Sequence, residues 1–265
     1  MTAPTSLTAA LQRTPPSMGG FSLSILRLEV RRLLRNRRTI MFTLILPVIF
    51  FLIFGLNSTY ANIAAGSGNV SALIMINMAL YGAILSTASG GAMVSIERAA
   101  GWSRQLRLTP LSPVAYIITK MLTAMVLGLG AVLAVYATGL LTGKPSMPAS
   151  LWIITAVCVW IGSLLFAAFG LFIGYLLPSE NVMQIISFAL MLFAFGGGVF
   201  IPLSQFSPLL QTMAAFTPLY GLSQLVHYPL TGGPMDWVWV VNVAVWLVIF
   251  VAGAVWRFRR DTARV

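Results

Sequence analysis

Six stretches of this chain are apolar for long enough to cross a lipid bilayer, and no other feature constrains the fold as tightly. They run roughly from Thr39 to Leu56, Val70 to Ile96, Val114 to Leu141, Leu151 to Leu177, Val182 to Ile201 and Trp237 to Trp256. A hydrocarbon core about 30 Å thick takes roughly 20 helical residues. Inside that core a backbone N–H or C=O finds no water, so the α-helix, which satisfies its own backbone, is the simplest spanning form. With 58% hydrophobic and 8% charged residues in a chain of 265, there is far more apolar side chain than a water-soluble globule of this size can bury. The expected fold is an all-α polytopic membrane protein with six transmembrane helices filling residues 39–256.

The segment 202–235 is the ambiguous one. Leu209 to Phe216 is apolar but confined between Pro208 and Pro218, too short to cross, and reads as a re-entrant outer hairpin between the fifth and sixth spans. The charges agree with an even number of crossings. Arg13, Arg27, Arg31, Arg32, Arg35, Arg37 and Arg38 precede the first run, and Arg257, Arg259, Arg260 and Arg264 follow the last. With both termini cytoplasmic, these and Arg98, Arg104, Arg107 and Lys120 place fifteen basic residues inside and only Lys144 outside, as positive-inside patterning requires. The net charge of +11 is therefore about orientation in the cell's inner (plasma) membrane and implies no nucleic-acid partner. Residues 1–20 are polar and lack the apolar core of a signal peptide, so they read as a flexible N-terminal tail. Residues 257–265 read as a cytoplasmic C-terminal tail.

Between residues 21 and 38 the arginines at 27, 31, 35 and 38 step by four, four and three, and Leu26, Val30 and Leu33 follow the adjacent stripe. This is the pattern of an amphipathic helix lying on the inner membrane surface, with Arg27, Arg31, Arg35 and Arg38 toward the polar side and membrane lipid as its neighbour.

Chemistry is scarce. A phosphate-cradling loop needs GxxxxGK[ST], and the nearest string, GLLTGKP at 139–145, is one residue short and carries proline in place of the hydroxyl. No catalytic residues are expected: one histidine, His227, and five acids supply neither a nucleophile with its base nor paired carboxylates, and GLSQL at 221–225 lacks the closing glycine of a nucleophile elbow. A lone cysteine, Cys158, in an apolar run offers neither a disulfide nor a metal site. Glu29, Glu97, Glu180, Asp236 and Asp261 fall at span ends or in loops, and Lys120, within two turns of the inner end of its span, can snorkel. Nothing in mid-membrane suggests ion coupling.

The loop 97–113 is the informative one. Its sequence, ERAAGWSRQLRLTPLSP, leaves the bilayer on an acid and continues as a short basic amphipathic helix that Pro110 and Pro113 end, a segment suited to docking in a groove of a cytoplasmic partner. The string resembles the cytoplasmic signature of ABC-2 type permeases, the membrane subunits of ABC exporters that include daunorubicin-resistance-like drug efflux permeases. It agrees at Glu97, Arg98, Gly101, Leu106, Thr109, Pro110 and Leu111, and departs at Ala99, where a charged residue is common, and at Trp102, where a small hydroxyl residue is usual. The layout of interfacial helix, six spans, this loop and a Gly- and Pro-bearing fifth span with its outer hairpin is similar as well. The resemblance implies a dimer of identical or similar permeases and two copies of a cytoplasmic ABC ATPase subunit, which binds ATP and Mg while this chain carries no cofactor. It also implies that Glu97, Arg98, Gly101, Arg104, Leu106, Arg107, Thr109, Pro110 and Leu111 couple the chain to that ATPase.

If two copies pair, the substrate path is expected between them, lined from the second span by Met75, Asn77 and Met78 and from the fifth by Phe188, Met191 and Phe195, around Gly196, Gly197 and Gly198. Methionine and phenylalanine adapt to varied apolar surfaces, which suits a hydrophobic or amphiphilic small-molecule cargo. Rivals are a lipid exporter of the same family, a polysaccharide exporter, whose route would want aromatic platforms and hydroxyls, a non-transporting membrane scaffold or assembly factor, and a passive channel, for which rings of charged or hydroxyl side chains are missing.

Overall fold

The computed structural model describes residues 21–101 and 112–263. Among them the protein is helical apart from one small hairpin. The elements are α1 (Leu23–Leu34), α2 (Arg37–Gly55), α3 (Ser58–Asn62), strands β1 (Ala64–Ala65) and β2 (Gly68–Asn69), α4 (Val70–Ala99), α5 (Pro113–Thr142), α6 (Ala149–Gly162), α7 (Leu164–Leu176), α8 (Val182–Gly196), α9 (Pro208–Ala215), α10 (Pro218–Thr231) and α11 (Trp237–Ala263). Four helical stretches are long and apolar enough to cross a membrane: Val70–Ala99, Val114–Thr142, Ala149–Leu176 and Trp237–Arg260. Two shorter apolar helices, Thr43–Gly55 and Val182–Gly196, accompany them. The chain is thus an all-α, multi-pass membrane protein.

Local chemistry sets the helix ends. Ser112 caps α5 by accepting from the Ala115 N–H (3.2 Å), with Pro113 in the first turn, where its missing N–H costs nothing. The same helix stops at Gly143, whose φ of 62° is left-handed. Two residues, Arg35 and Asn36, separate α1 from α2. Helix α1 therefore ends at Leu34, short of the expected bound at 38, and Arg38 belongs to the first turn of α2. At the other end of the chain α11 runs on as helix to Ala263, so the expected tail begins as a continuation of the last apolar helix.

Helix α4 is the axis of the bundle. In its most apolar window 83% of residues are buried, against 11% for α11, because α2, α5, α7 and α8 surround it. Lipid tails are as apolar as leucine, so helices in a bilayer gain by close fit and not by escape from water. The fit to α7 is made by small residues: a Cβ on Gly91 would lie 2.5 Å from the Ala167 carbonyl oxygen, one on Gly174 would lie 3.1 Å from the Ala92 Cα, and one on Gly170 would collide with the Ala88 carbonyl. Gly82 takes Pro47 of α2 in the same way, its missing Cβ leaving room for the proline ring at 2.8 Å.

Two expected spans differ in detail. The fourth run is a pair of helices that break at Gly162–Ser163, where the Ser163 hydroxyl donates to the Trp160 carbonyl (2.6 Å). The carbonyl of Ser163 accepts from Thr87 of α4 (3.1 Å) as well as from its own helix; side-chain insertion of this kind distorts a helix. The fifth run stops as helix at Gly196. Gly198 then turns left-handed (φ 71°) and the Gly197 carbonyl accepts from Ser223 of α10 (2.5 Å).

After a 3₁₀ turn at Leu203–Gln205, the segment 202–235 forms α9 and α10, each beginning on one of the two prolines that bound the apolar stretch Leu209 to Phe216. At 8 and 14 residues they rise about 12 and 21 Å. Asn242 of α11 donates to the carbonyls of Ala215 (3.1 Å) and Thr217 (3.3 Å), and Trp246 to that of Phe216 (3.1 Å).

The β1–β2 hairpin, absent from the sequence reading, sits at the start of α4 on Asn69. That side chain donates to the carbonyls of Ala61 (3.0 Å) and Lys144 (2.9 Å) and accepts from the N–H groups of Ala72 (2.8 Å) and Ser146 (3.0 Å). One amide thereby ties α3, the start of α4 and the loop 143–148 together with all its hydrogen-bonding capacity.

Gly170→Leu is expected to cost at least about 3 kcal/mol, roughly 6–12 °C in a chain of this size, because the obstacle is backbone. Gly130→Ala, whose new Cβ would meet nothing closer than Leu44 at 3.6 Å, should shift the melting temperature little. Thermal unfolding in detergent micelles reads both.

Candidate functional site: a buried charge cluster

At the end of the bundle opposite Asn69, three helices bring charge into the interior. Glu29 and Arg32 stand one turn apart on α1, Glu97 is in the last turn of α4, and Tyr116 and Lys120 share a face of α5. The Lys120 ammonium donates to Glu29 Oε2 (2.6 Å) and to Glu97 Oε1 (2.7 Å). Glu97 Oε1 also accepts from Arg32 Nη1 (3.2 Å), and Glu97 Oε2 from the Tyr116 hydroxyl (2.9 Å). The side chains of Lys120 and Glu97 are 4% and 5% exposed, that of Glu29 14%, and that of Arg32 53%. Two carboxylates and two cations close to zero net charge, which is the condition for keeping ions out of water. A cavity of about 170 Å³ opens beside them, bounded also by Leu33, Asn36, Gly90, Met93 and Thr123.

An aromatic layer extends the cluster. Lys120 lies 5.4 Å from the centre of the Tyr116 ring, Tyr116 packs on Phe258 of α11 (5.5 Å), and Phe258 meets Tyr175 of α7 edge-on (5.8 Å). Arg98, beside Glu97 in sequence, turns the other way: its Nη1 donates to the carbonyls of Gly174 (3.2 Å) and Tyr175 (2.8 Å), satisfying the open end of α7. Its guanidinium lies 5.6 Å from the Tyr175 ring. Ser95 donates to the Leu177 carbonyl (3.1 Å).

These positions change the expected geometry of the loop. Glu97 does not face outward as a docking side chain; it is helical, buried and committed to three partners. Lys120 does not snorkel, because two carboxylates hold it inside. Arg98 also faces the bundle. Gly101 is where the chain turns away from α4, with φ at 77° and open space around its α-carbon. Arg104, Leu106, Arg107, Thr109, Pro110 and Leu111 lie outside the described residues. Of the expected surface helix, Arg27, Arg31 and Arg35 are exposed, while Leu33 is buried and Glu29 turned inward; the side chain of Arg38 lies outside the described set.

The six residues assigned to a substrate path divide in two. Met75, Asn77 and Met78 are buried within this chain, since α4 is its axis. Asn77 bonds through Oδ1 to the His227 ring of α10, so the histidine expected to stand alone is tied to the central helix. Phe188 and Met191 are on the surface of α8, 64% and 49% exposed, and Phe195 is half-buried against Phe200 (5.4 Å). Among the described residues no group of three or more His, Cys, Asp or Glu could hold a metal.

Sequence reading missed the joining of Glu29, Glu97 and Lys120. A signal was present: Glu29 is the one acid among the arginines of α1 and falls off their stripe, and Lys120 is the only cation within the third apolar run.

Charge thus gathers at one end of a multi-pass helical bundle, at the two helix ends that residues 102–111 connect. The chain belongs to the ABC-2 type transporter family, whose profile matches residues 22–228. It is also 24% identical over 225 residues to a Bacillus subtilis (strain 168) protein described as "Putative transport permease YvfS", covering 84% of this chain and 91% of that one. Membership implies an ABC ATPase as partner and a second permease.

Lys120→Met leaves Glu29 and Glu97 as adjacent buried carboxylates and is expected to cost about 3–5 kcal/mol. Arg32→Gln, at a half-exposed pair, should cost about 1 kcal/mol or less. Equilibrium unfolding in mixed micelles measures the gap.

Proposed function

We propose that this chain is the membrane-spanning subunit of an ATP-driven exporter that moves hydrophobic or amphiphilic small molecules, drug- or antibiotic-like, out of the cell. Two cytoplasmic ABC ATPase subunits bind ATP and Mg and hydrolyse the nucleotide; the chain itself only translocates. The observation that carries the reading is family membership across 22–228 in a chain whose connecting segment 102–111 is bordered on both sides by the buried charge cluster.

In this reading the chain crosses the plasma membrane six times. The two shorter apolar helices, α2 and α8, join the four longer ones as spans, 202–235 is a re-entrant outer hairpin, and both termini are cytoplasmic. The arginine face of α1 then meets lipid headgroups and cytoplasm. The arginines of α1, α11 and the 98–107 stretch favour this orientation by the positive-inside rule.

A second permease, identical or similar, packs against the exposed face of α8, and Phe188, Met191 and Phe195 line the cargo route from there. The interior placement of Met75, Asn77 and Met78 means that α4 contributes to the route only if α8 or α10 moves aside. Residues Arg104, Leu106, Arg107, Thr109, Pro110 and Leu111 dock on the ATPase. For docking to do work, the ATPase must hold this segment differently in its open and closed states.

The test is ATP hydrolysis in lipid nanodiscs with and without an ATP-binding partner, across a panel of hydrophobic drugs and lipids. Stable association and cargo-stimulated hydrolysis are expected. Leu111→Asp should insert and fold normally yet lower coupled hydrolysis and transport roughly tenfold or more, the scale of losing a buried contact residue at an interface. A folded, inserted chain that associates with no ATPase would remove the exporter reading in favour of a scaffold.

A further inference from the structure

We propose that Glu29, Lys120, Tyr116 and Glu97 form a clasp that obliges α1 to move as one body with the ends of α4 and α5, and that Glu97 serves coupling from within as a positioning residue. The inference rests on the coupled-permease reading and gives its signature glutamate a different task from touching the ATPase.

The force path is defined by where 102–111 joins the bundle. It leaves α4 at Gly101 and re-enters at Ser112, which caps α5. Glu97 is four residues before the first of these and Tyr116 four residues after the second, each about one helical turn, or 6 Å, away. These two residues bond to each other (2.9 Å). A pull on 102–111 therefore reaches α4 and α5 at a point where they are already joined.

Lys120 extends the joint to α1. Its ammonium lies within 2.7 Å of one carboxylate from α4 and one from α1, so it is the crossing point of three helices. Helix α1 is otherwise held by the half-exposed Arg32 on Glu97 and by its packing on α5. Leu33 is its one buried residue among those described, Leu23 and Leu28 are 75% and 67% exposed, and its link to α2 is only Arg35–Asn36. Without the Glu29–Lys120 pair, α1 is left with the half-exposed Arg32–Glu97 pair (3.2 Å) and its packing on α5, a looser hold while α4 and α5 move beneath it. With the pair, displacement of the connecting segment carries α1 along. Desolvation makes the joint stiff, since each ion is costly to leave unpaired.

Glu29→Gln removes the more buried of the two ion pairs that tie α1 to the cluster, keeps the half-exposed Arg32–Glu97 pair, and leaves Glu97, Lys120 and Tyr116 joined. In nanodiscs, without any partner, amide exchange over 23–34 is expected to quicken about tenfold, whereas Arg31→Gln on the exposed face should leave it unchanged. In the complex, Glu29→Gln should still bind the ATPase and hydrolyse ATP within twofold of the native rate, but carry at most about one-tenth as much cargo per ATP.

The double variant Glu29→Gln/Lys120→Met controls for a merely structural role. Its single buried acid, Glu97, keeps Arg32 and Tyr116, so its melting temperature should exceed that of Lys120→Met while transport per ATP stays low. Unchanged exchange in Glu29→Gln, or native transport per ATP in the double variant, overturns the clasp. A native complex that shows no cargo-stimulated hydrolysis overturns the exporter reading instead, and the exchange measurement on the chain alone still reports whether Glu29 holds α1.

Discussion

The close approach of α4 and α7 is what the rest of the bundle is built around. In hydrocarbon no water is released when two apolar helices meet, so contact has to be earned through distance and shape. Gly91, Gly170 and Gly174 remove the side chains that would keep the backbones apart. With α7 seated this deeply, α4 becomes interior on nearly every side, and its polar residues must find partners within the protein. Thr87 uses the break at Ser163, Asn77 uses His227, and Ser95 uses the free carbonyl of Leu177. Each is a consequence of burying a helix that carries hydroxyls and amides.

The same burial accounts for the charge cluster. Glu97 occupies the last turn of the most enclosed helix, so its carboxylate cannot reach solvent without unwinding that turn. Lys120 offers a cation from the neighbouring helix, and Glu29 offsets the lysine's second interaction. Arg98 faces α7, where it completes carbonyls that the end of that helix leaves open. Adjacent charged residues of one motif thus serve two different joints, one ionic and one between a cation and backbone dipoles.

Much of this architecture was legible in the sequence because the bilayer makes strong demands on it. Apolar length located the apolar helices, and Pro208 and Pro218 marked the segment between α8 and α11, though as helix starts and not as breaks. The bend at Ser163 was not legible, since a serine inside an apolar run also fits a straight helix. The site was only half legible. The run ERAAG announced a boundary loop, but a residue's position along a helix does not tell which way it faces, and the partners of Glu97 come from residues 29, 32, 116 and 120. The β1–β2 hairpin depends on a single amide satisfied by distant carbonyls, and no local pattern encodes that.

The two ends of the bundle are fastened by different chemistry. At the cluster end the bonds are between ions, so their strength depends on the low dielectric around them. The Asn69 knot is made only of a carboxamide and peptide groups, none of which gains or loses a proton at any pH that a living cell or its surroundings reach. The loops gathered there keep their arrangement through acidification or a surge of salt in whatever fluid bathes them. One side of the protein is thus held by neutral amides whatever its medium, and the opposite side by full charges kept out of water.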